Sequence, residues 1–263
     1  MNDTLKVTKV SVIEILKDTI KLYRENFKIL FYLSLIIFFI KAVTTISSDL
    51  VNSTTSLGLK AAYSFLSFII LILSYYFTTK VSIAIIISLS KIYHGEKDLG
   101  VRGVYKSTSE KIWGYIGMNI LLGLIISLPL IGIINSLLYE KMLVQKLLLI
   151  VIFSIPTLYL YSKFGFAPIL YVLDGGKKKY FKSSSILVKG NLWPVAMLTL
   201  AIFIMTMVPY NLYANVFNDF KHLPVLNRYI ASFINELYLL FILPITNGIR
   251  ILLYYKLKEI KRL

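Results

Sequence analysis

Six long apolar segments restrict this chain more than any other feature of its sequence. About 20 apolar residues in a helix cross a hydrocarbon layer of roughly 30 Å. Each segment reaches that length, so the sequence predicts six transmembrane helices. The segments are residues 27 to 48, 61 to 91, 113 to 138, 147 to 173, 192 to 217 and 230 to 256. In the fourth segment, Pro156 and Pro168 predict two places where the helix can bend.

The amino-acid composition also favours a membrane protein. Hydrophobic residues make up 57% of the 263 residues, and the mean hydropathy is +0.74, more than one soluble core can bury. The lack of cysteine excludes disulfides, thiolate zinc sites and thiol nucleophiles. We therefore expect one polytopic membrane domain of the all-α class over residues 1–263. No cleavable leader is expected, because the first apolar segment is long enough to remain as an anchor.

Lysine and arginine residues lie mostly on one side of the predicted membrane. The N-terminal segment contributes six, the 91–111 loop five, the 174–191 loop five and the C-terminal tail four, which makes 20 against five in the opposite loops. Because these cations resist transfer across the bilayer, both termini are predicted to be cytoplasmic, with the protein in the cell membrane. The net charge of +16 then lies beside the anionic headgroups of the cytoplasmic leaflet. Membrane lipids, rather than nucleic acid, are the predicted partners.

Residues 11–26 have the pattern of an amphipathic helix that lies on the membrane surface. Ser11 and Glu14 have the spacing of a capping box, in which both side chains satisfy free amides at a helix start. Apolar residues then recur on one face, while most charged residues lie elsewhere. The apolar residues are Ile13, Leu16, Ile20, Tyr23 and Phe27.

The same pattern recurs twice along the chain. Residues of about 99–111 and about 178–190 also pass from a basic, hydroxyl-rich segment to an aromatic residue at the start of a span. The sequence therefore predicts three tandem units, each an interfacial amphipathic helix followed by a two-span hairpin. Their approximate bounds are 9–93, 98–174 and 177–258. The alternative is a coincidence of spacing, because any six-span protein has loops and interfacial aromatics at such intervals.

Two segments resemble a known family. YFKSSSILVKGNLW, residues 180–193, and LLYYKLKE, residues 252–259, resemble the membrane-domain superfamily fused to bacterial glycerophosphodiester phosphodiesterases and found in YciC-like proteins. LYRENFKIL near the N-terminus is similar to that family's first pattern. The resemblance implies a membrane domain without the hydrolase domain. Lys256 stands where the family usually has aspartate. The matching residues are Ser185, Lys189, Gly190, Trp193, Leu252, Leu253, Tyr254, Tyr255 and Leu257.

Groups that could carry out catalysis are few. His94, Glu96 and Asp98 alternate in one loop and could form a hard-metal or acid/base cluster, or a solvated connection. Asp174 precedes two glycines, which favours a turn. The hydroxyls of residues 183–185 lack a partner base within their stretch, so interfacial hydrogen bonding is the expected role. We expect no catalytic residues, no metal and no cofactor.

Cations inside the spans are the least expected feature. Lys80, Lys163 and Arg250 lie in spans two, four and six, where a charge at the helix centre costs about 2.5 to 3.5 kcal/mol on insertion scales. Glu236 is the only acid well inside a span. The three cations could line one polar cavity that binds an anion, or each could extend to the interface without a ligand. The other predicted ligand-binding residues are Tyr75, Tyr76, Tyr159, Thr79, Ser162 and Asn247.

Three functions remain compatible with the sequence. The first is a non-enzymatic membrane protein that binds or helps move an anionic lipid or amphiphile, as a transporter partner in one version. The second is an envelope-integrity or immunity protein that acts by membrane occupancy or by binding a partner. The third is a membrane-embedded enzyme, which would need a catalytic pair that the sequence does not offer.

Overall fold

The computed structural model describes residues 10–96, 100–138, 143–175, 179–218 and 225–261. Within these ranges the chain is helical and contains no strand, which confirms the all-α class. A helix satisfies its backbone hydrogen bonds within its own segment, which the hydrocarbon layer requires.

The six longest helices of the described ranges follow the six apolar segments closely. Their bounds differ from the predicted ones by at most five residues at each end, apart from the end of the fourth segment. They are α2 (Phe27–Ser53), α3 (Leu57–Tyr93), α5 (Ile112–Leu138), α6 (Leu143–Phe164), α9 (Leu192–Asn218) and α10 (Val225–Lys261).

Four stretches of the described ranges are long and apolar enough to cross a membrane: Phe27–Ser48, Leu57–Tyr93, Leu148–Asp174 and Glu236–Lys261. A fifth results if Tyr180–Val188 and Leu192–Thr206, bent by 108° to each other, count as one span. The described ranges therefore contain four or five helices that are long and apolar enough to span a membrane, as expected of a membrane protein, while the full count of six stays a prediction.

The fourth segment contains a break just before one of its two prolines. Helix α6 continues through Pro156 and ends at Phe164, and α7 (Ala167–Asp174) begins with Pro168 in its first turn. Proline is tolerated there because the first amides of a helix have no partner within it. The bend predicted near Pro168 is thus observed as a helix boundary, whereas Pro156 does not interrupt α6.

Short helices occupy the three basic segments. Helix α1 (Val12–Glu25) covers nearly all of the predicted 11–26. The Glu14 amide donates to Ser11 Oγ over 3.3 Å, which is the Ser11 half of the predicted capping box, whereas the Glu14 carboxylate pairs with Lys256. The second segment forms α4 (Val101–Lys106) and a 3₁₀ turn at Ser109–Lys111. The third forms α8 (Tyr180–Val188). Gly190 follows α8 with φ of +88°, a backbone conformation that glycine adopts without strain.

Helix α1 packs against the protein through a different side from its predicted apolar face. Ile13 on the predicted apolar face is 67% exposed, and Ile20 is also exposed. The side that packs against the protein contains Ile15 and Thr19, which are both buried. The predicted face is therefore free to contact lipid, and Ile15 supplies the packing that the face prediction left out.

The described contacts divide the chain into two units. The first unit contains Met1–Thr19, Trp113–Ile202 and Ile249–Leu263, and the second contains Ile20–Ile112 and Phe203–Gly248. These bounds differ from those of the three predicted tandem units, which stay a prediction.

The second unit is built on the hairpin of α2 and α3. Thr44 and Ser74 share a hydroxyl hydrogen bond of 2.8 Å, and Ser47 and Ser67 share one of 2.6 Å. Hydroxyl bonds of this kind connect helices where lipid supplies no hydrophobic driving force between them. Helix α4 packs against both helices of the hairpin.

The first unit brings α8 against α6 and α7. Ser184 Oγ donates to the Lys163 carbonyl over 2.8 Å, which fixes α8 on the end of α6. The Val10 amide donates to Asn191 Oδ1 over 3.2 Å. Both polar contacts are at least partly buried, so they position α8 and Val10 within this unit.

Candidate ligand-binding site

Lys80 lies on α3 with its ammonium group 4.4 Å from the ring centroid of Tyr105 on α4. Burial and the neighbouring Tyr76 raise the pKa of Tyr105, so the ring stays neutral and the contact is a cation–π interaction. Of the other predicted site residues on α3, Thr79 is buried and Tyr75 is exposed. Tyr76 lies one helical turn before Lys80, on the same side of α3.

Lys163 lies in the last turn of α6, beside a predicted partner. Its Nζ donates to the Tyr159 hydroxyl over 3.3 Å and lies 5.3 Å from the ring centroids of both Tyr159 and Phe164. Tyr159 is exposed on the outside of the helix. Ser162 is buried, and its hydroxyl has no hydrogen-bond partner in the described part of the chain.

Arg250 lies on α10 and reaches α6. Its Nη2 donates to the Tyr161 hydroxyl, and the guanidinium carbon lies 5.5 Å from the centroid of the same ring. Asn247, the predicted neighbour, donates its Nδ2 to the Leu243 carbonyl over 2.9 Å. That bond lies within α10, so one Asn247 donor serves the helix itself.

Tyr161, which is the partner of Arg250, and Lys163 project from different sides of α6. Tyr161 and Lys163 are two residues apart, which corresponds to about 200° around a helix of 3.6 residues per turn. Lys80 belongs to the other unit. One cavity shared by the three cations therefore stays a prediction. Within the described ranges, the ion pairs found include none of the three cations.

A pocket of about 400 Å³ lies beside α8 in the first unit. We call it the α8 pocket. Its volume is within the range of small-molecule sites. Its lining combines aliphatic and polar side chains from three helices. They are Leu170 and Asp174 of α7, Ser183, Ile186 and Leu187 of α8, and Tyr254 and Lys258 of α10.

The polar end of the α8 pocket is a connected group of three side chains. Asp174 Oδ1 accepts hydrogen bonds from the Tyr254 hydroxyl at 3.3 Å and from Lys258 Nζ at 3.4 Å. Lys258 Nζ also donates to the Tyr254 hydroxyl over 3.2 Å. The pocket therefore offers a carboxylate and an ammonium group side by side, with a mutual ion pair.

Sequence reasoning missed both Tyr105 and the α8 pocket. The sequence predicts a turn at Asp174, and the following Gly175 does adopt φ of +65°. The Asp174 carboxylate, however, points back to α10, where it accepts a hydrogen bond from Tyr254. The available signal was the spacing of Tyr254 and Lys258, which places them on one face of a helix, four residues apart. Nothing in the sequence paired that face with Asp174, which lies 80 residues away from Tyr254.

The predicted His94, Glu96 and Asp98 cluster is only partly within the described ranges. Glu96 pairs with Lys91 at 2.8 Å, which accounts for one of its oxygens. Asp98 lies outside the described residues. The described residues contain no group of three His, Asp or Glu side chains that could hold a metal ion.

No family model, curated protein or solved structure matches this chain. Its function is therefore inferred from its own side chains. Two arrangements are available for that inference: cations in apolar helices that contact tyrosines, and a pocket with an apolar wall and a charged end.

Proposed function

We propose that this chain is a non-enzymatic protein of the cell membrane that binds an anionic lipid or another anionic amphiphile. It has six spans, with both termini in the cytoplasm, and it acts on its ligand alone or as the partner of a membrane transporter. We also propose that the chain is a member of the membrane-domain superfamily that its sequence resembles.

One observation carries the proposal: Lys80, Lys163 and Arg250 each contact a tyrosine ring, and no described carboxylate pairs with them. A cation–π contact contributes about 0.5 to 2 kcal/mol. A cation at a helix centre costs about 2.5 to 3.5 kcal/mol on insertion scales. Tyrosine contacts therefore leave part of the cost, and an anionic headgroup would offset the remainder.

The arrangement of helices supports the six-span topology. Helices α2, α3, α5, α9 and α10, together with α6 and α7 as one segment, follow the six apolar runs. A short helix followed by two long segments occurs three times along the chain. The sets are α1 with α2 and α3, α4 with α5 and the α6–α7 segment, and α8 with α9 and α10. Helix α4 packs on the hairpin before it, and α8 packs on α6 and α7 before it, which is the behaviour expected of repeated units.

The test is binding of phosphatidylglycerol, with phosphatidylcholine of the same chains as the neutral reference. Purified protein in nanodiscs would be compared with the variants Lys80→Gln, Lys163→Gln and Arg250→Gln. Two exposed cations supply matched controls, Lys182→Gln on α8 and Arg102→Gln on α4. We expect at least one variant of a span cation to weaken phosphatidylglycerol binding about tenfold, because a charge-assisted hydrogen bond contributes about 1.5 to 3 kcal/mol.

Equal binding by all three span variants and both controls would overturn the proposal. Melting temperatures of the same samples would identify a variant that has lost its fold. Variants that no longer bind phosphatidylglycerol but still carry out the protein's role in cells would instead favour an envelope-integrity or immunity protein.

A further inference from the structure

The α8 pocket has an apolar wall and a charged end in an order that matches the bilayer. Asp174 is the last residue of the span Leu148–Asp174, and Lys258 lies near the end of Glu236–Lys261. Leu170 precedes Asp174 by one helical turn, about 6 Å deeper in the span. Because both stretches end here, we expect the charged end at headgroup depth and the aliphatic wall toward the acyl chains.

Hydrogen-bonding capacity remains at the charged end. Lys258 has three N–H groups, of which two are used by Asp174 and Tyr254. Asp174 Oδ2 accepts no hydrogen bond from a described residue, because both bonds to this carboxylate reach Oδ1. The hydroxyl of Ser183 likewise has no partner in the described part of the chain.

These groups select among lipid headgroups. A purely anionic headgroup would be repelled by Asp174, and a cationic amphiphile would be repelled by Lys258. A zwitterionic headgroup presents one charge to each. Among zwitterions, a primary ammonium can donate hydrogen bonds to a carboxylate, whereas a quaternary ammonium has no N–H to donate.

We propose that the α8 pocket binds a phospholipid whose headgroup carries a primary amine. The ammonium group donates to Asp174 Oδ2, the phosphate accepts from Lys258 and Ser183, and the first part of an acyl chain lies along Leu170 and Leu187. This site uses none of the three cations inside the spans. It therefore extends the proposed function with a second headgroup chemistry and does not depend on it.

Native mass spectrometry of the full chain with added dioleoyl phosphatidylethanolamine tests the site. Phosphatidylcholine and phosphatidylglycerol with the same chains are the comparison lipids. We expect the unmodified protein to bind phosphatidylethanolamine about tenfold more tightly than phosphatidylcholine, since only the former makes the charge-assisted bond to Asp174. Equal affinities for these two lipids would overturn the proposal.

Variants then assign the preference to the pocket. Asp174→Asn keeps the shape of the side chain and should remove the preference for the primary amine. Its matched control is Asp18→Asn, at an exposed position on α1. Ser183→Ala removes a hydroxyl that has no described partner, so it should leave the fold intact and weaken phosphatidylethanolamine binding several-fold.

If Asp174→Asn does not fold, the Ser183→Ala variant decides whether the lipid binds in the α8 pocket. Binding of phosphatidylethanolamine by Ser183→Ala that is as tight as the binding by Asp18→Asn would overturn the assignment to this pocket. The failure of the proposed function is separate, because that would appear as unchanged phosphatidylglycerol binding in the variants at Lys80, Lys163 and Arg250.

Discussion

Glu14 of α1 and Lys256 of α10 form an ion pair of 3.4 Å between residues 242 positions apart in the chain. Together with the hydrogen bond from Val10 to Asn191, it attaches the first residues of the described chain to the first unit. The Lys256 ammonium group therefore meets a carboxylate of α1, although both side chains are partly exposed.

Reversing the Lys256 charge should loosen α1. In Lys256→Glu, two carboxylates would face each other, whereas Glu14→Lys combined with Lys256→Glu restores an attractive pair of the opposite sense. Because both side chains are partly exposed, at 41% for Lys256 and 53% for Glu14, the effect is small, about 0.2 to 1 kcal/mol. Hydrogen exchange of the α1 amides in detergent micelles would measure it.

The control for this charge reversal is Lys17→Glu, at an exposed position on α1 outside the described ion pairs. It should leave the exchange rates close to those of the unmodified protein. A double variant that exchanges as fast as Lys256→Glu would show that the ion pair does not hold α1 in place.

Tyr105, which contacts Lys80, should stabilise the fold through its ring rather than through its hydroxyl. The Lys80 ammonium lies 4.4 Å from the Tyr105 centroid, so Tyr105→Phe keeps the contact and Tyr105→Ala removes it. A double-mutant cycle of Lys80→Met with Tyr105→Ala should give a coupling free energy of about 0.5 to 2 kcal/mol. The measurement is the free energy of unfolding in detergent.

A second cycle with the exposed Lys106 provides the reference for Tyr105. Lys106→Met with Tyr105→Ala should show a coupling close to zero. Equal coupling in the two cycles would contradict a specific interaction between Lys80 and Tyr105.

The helices were predictable because their signal is local, whereas the packing partners were not. A run of about 20 apolar residues is sufficient to predict a spanning helix, whatever it packs against. The two sides of α1 were not separable, since Ile13 and Ile15 are equally apolar but only Ile15 is buried. The α6 boundary depends on Gly165 and on the fold around Tyr161, which a hydropathy pattern does not contain.

The candidate site followed the same division. Cations inside apolar runs were visible in the sequence, and the pairing of Lys163 with Tyr159 could be predicted from their spacing of one turn. Tyr161 beneath Arg250 and Asp174 beside Lys258 are tertiary contacts over more than 80 residues. They depend on which helices become neighbours, and one sequence provides no direct signal for that.

Cysteine labelling in intact cells would test the six-span topology, and the chain's lack of cysteine leaves no background. Ser56→Cys and Gln145→Cys, at exposed positions, should react with a membrane-impermeant maleimide from outside. Ser107→Cys and Lys182→Cys should react only after the membrane is permeabilised. Reaction of Lys182→Cys in intact cells would refute the predicted orientation, which depends on the excess of lysine and arginine on one side.

Gly165, at the break between α6 and α7, should tolerate no side chain. A Cβ atom at this position would lie 2.5 Å from the Tyr161 carbonyl oxygen, and because that oxygen is backbone, the end of α6 would have to shift. Gly165→Ala should therefore lower the free energy of unfolding by about 1 to 3 kcal/mol. Since Tyr161 also contacts Arg250, the shift should disturb that contact as well.

Gly123 on α5 is the matched control for Gly165, because a Cβ there would meet no atom within 4 Å. Alanine is the better helix former by up to about 1 kcal/mol, so Gly123→Ala should be neutral or stabilising. Unfolding in detergent would give both values under identical conditions. The same stability change in the two variants would mean that the close approach of Gly165 to Tyr161 does not determine where α6 ends.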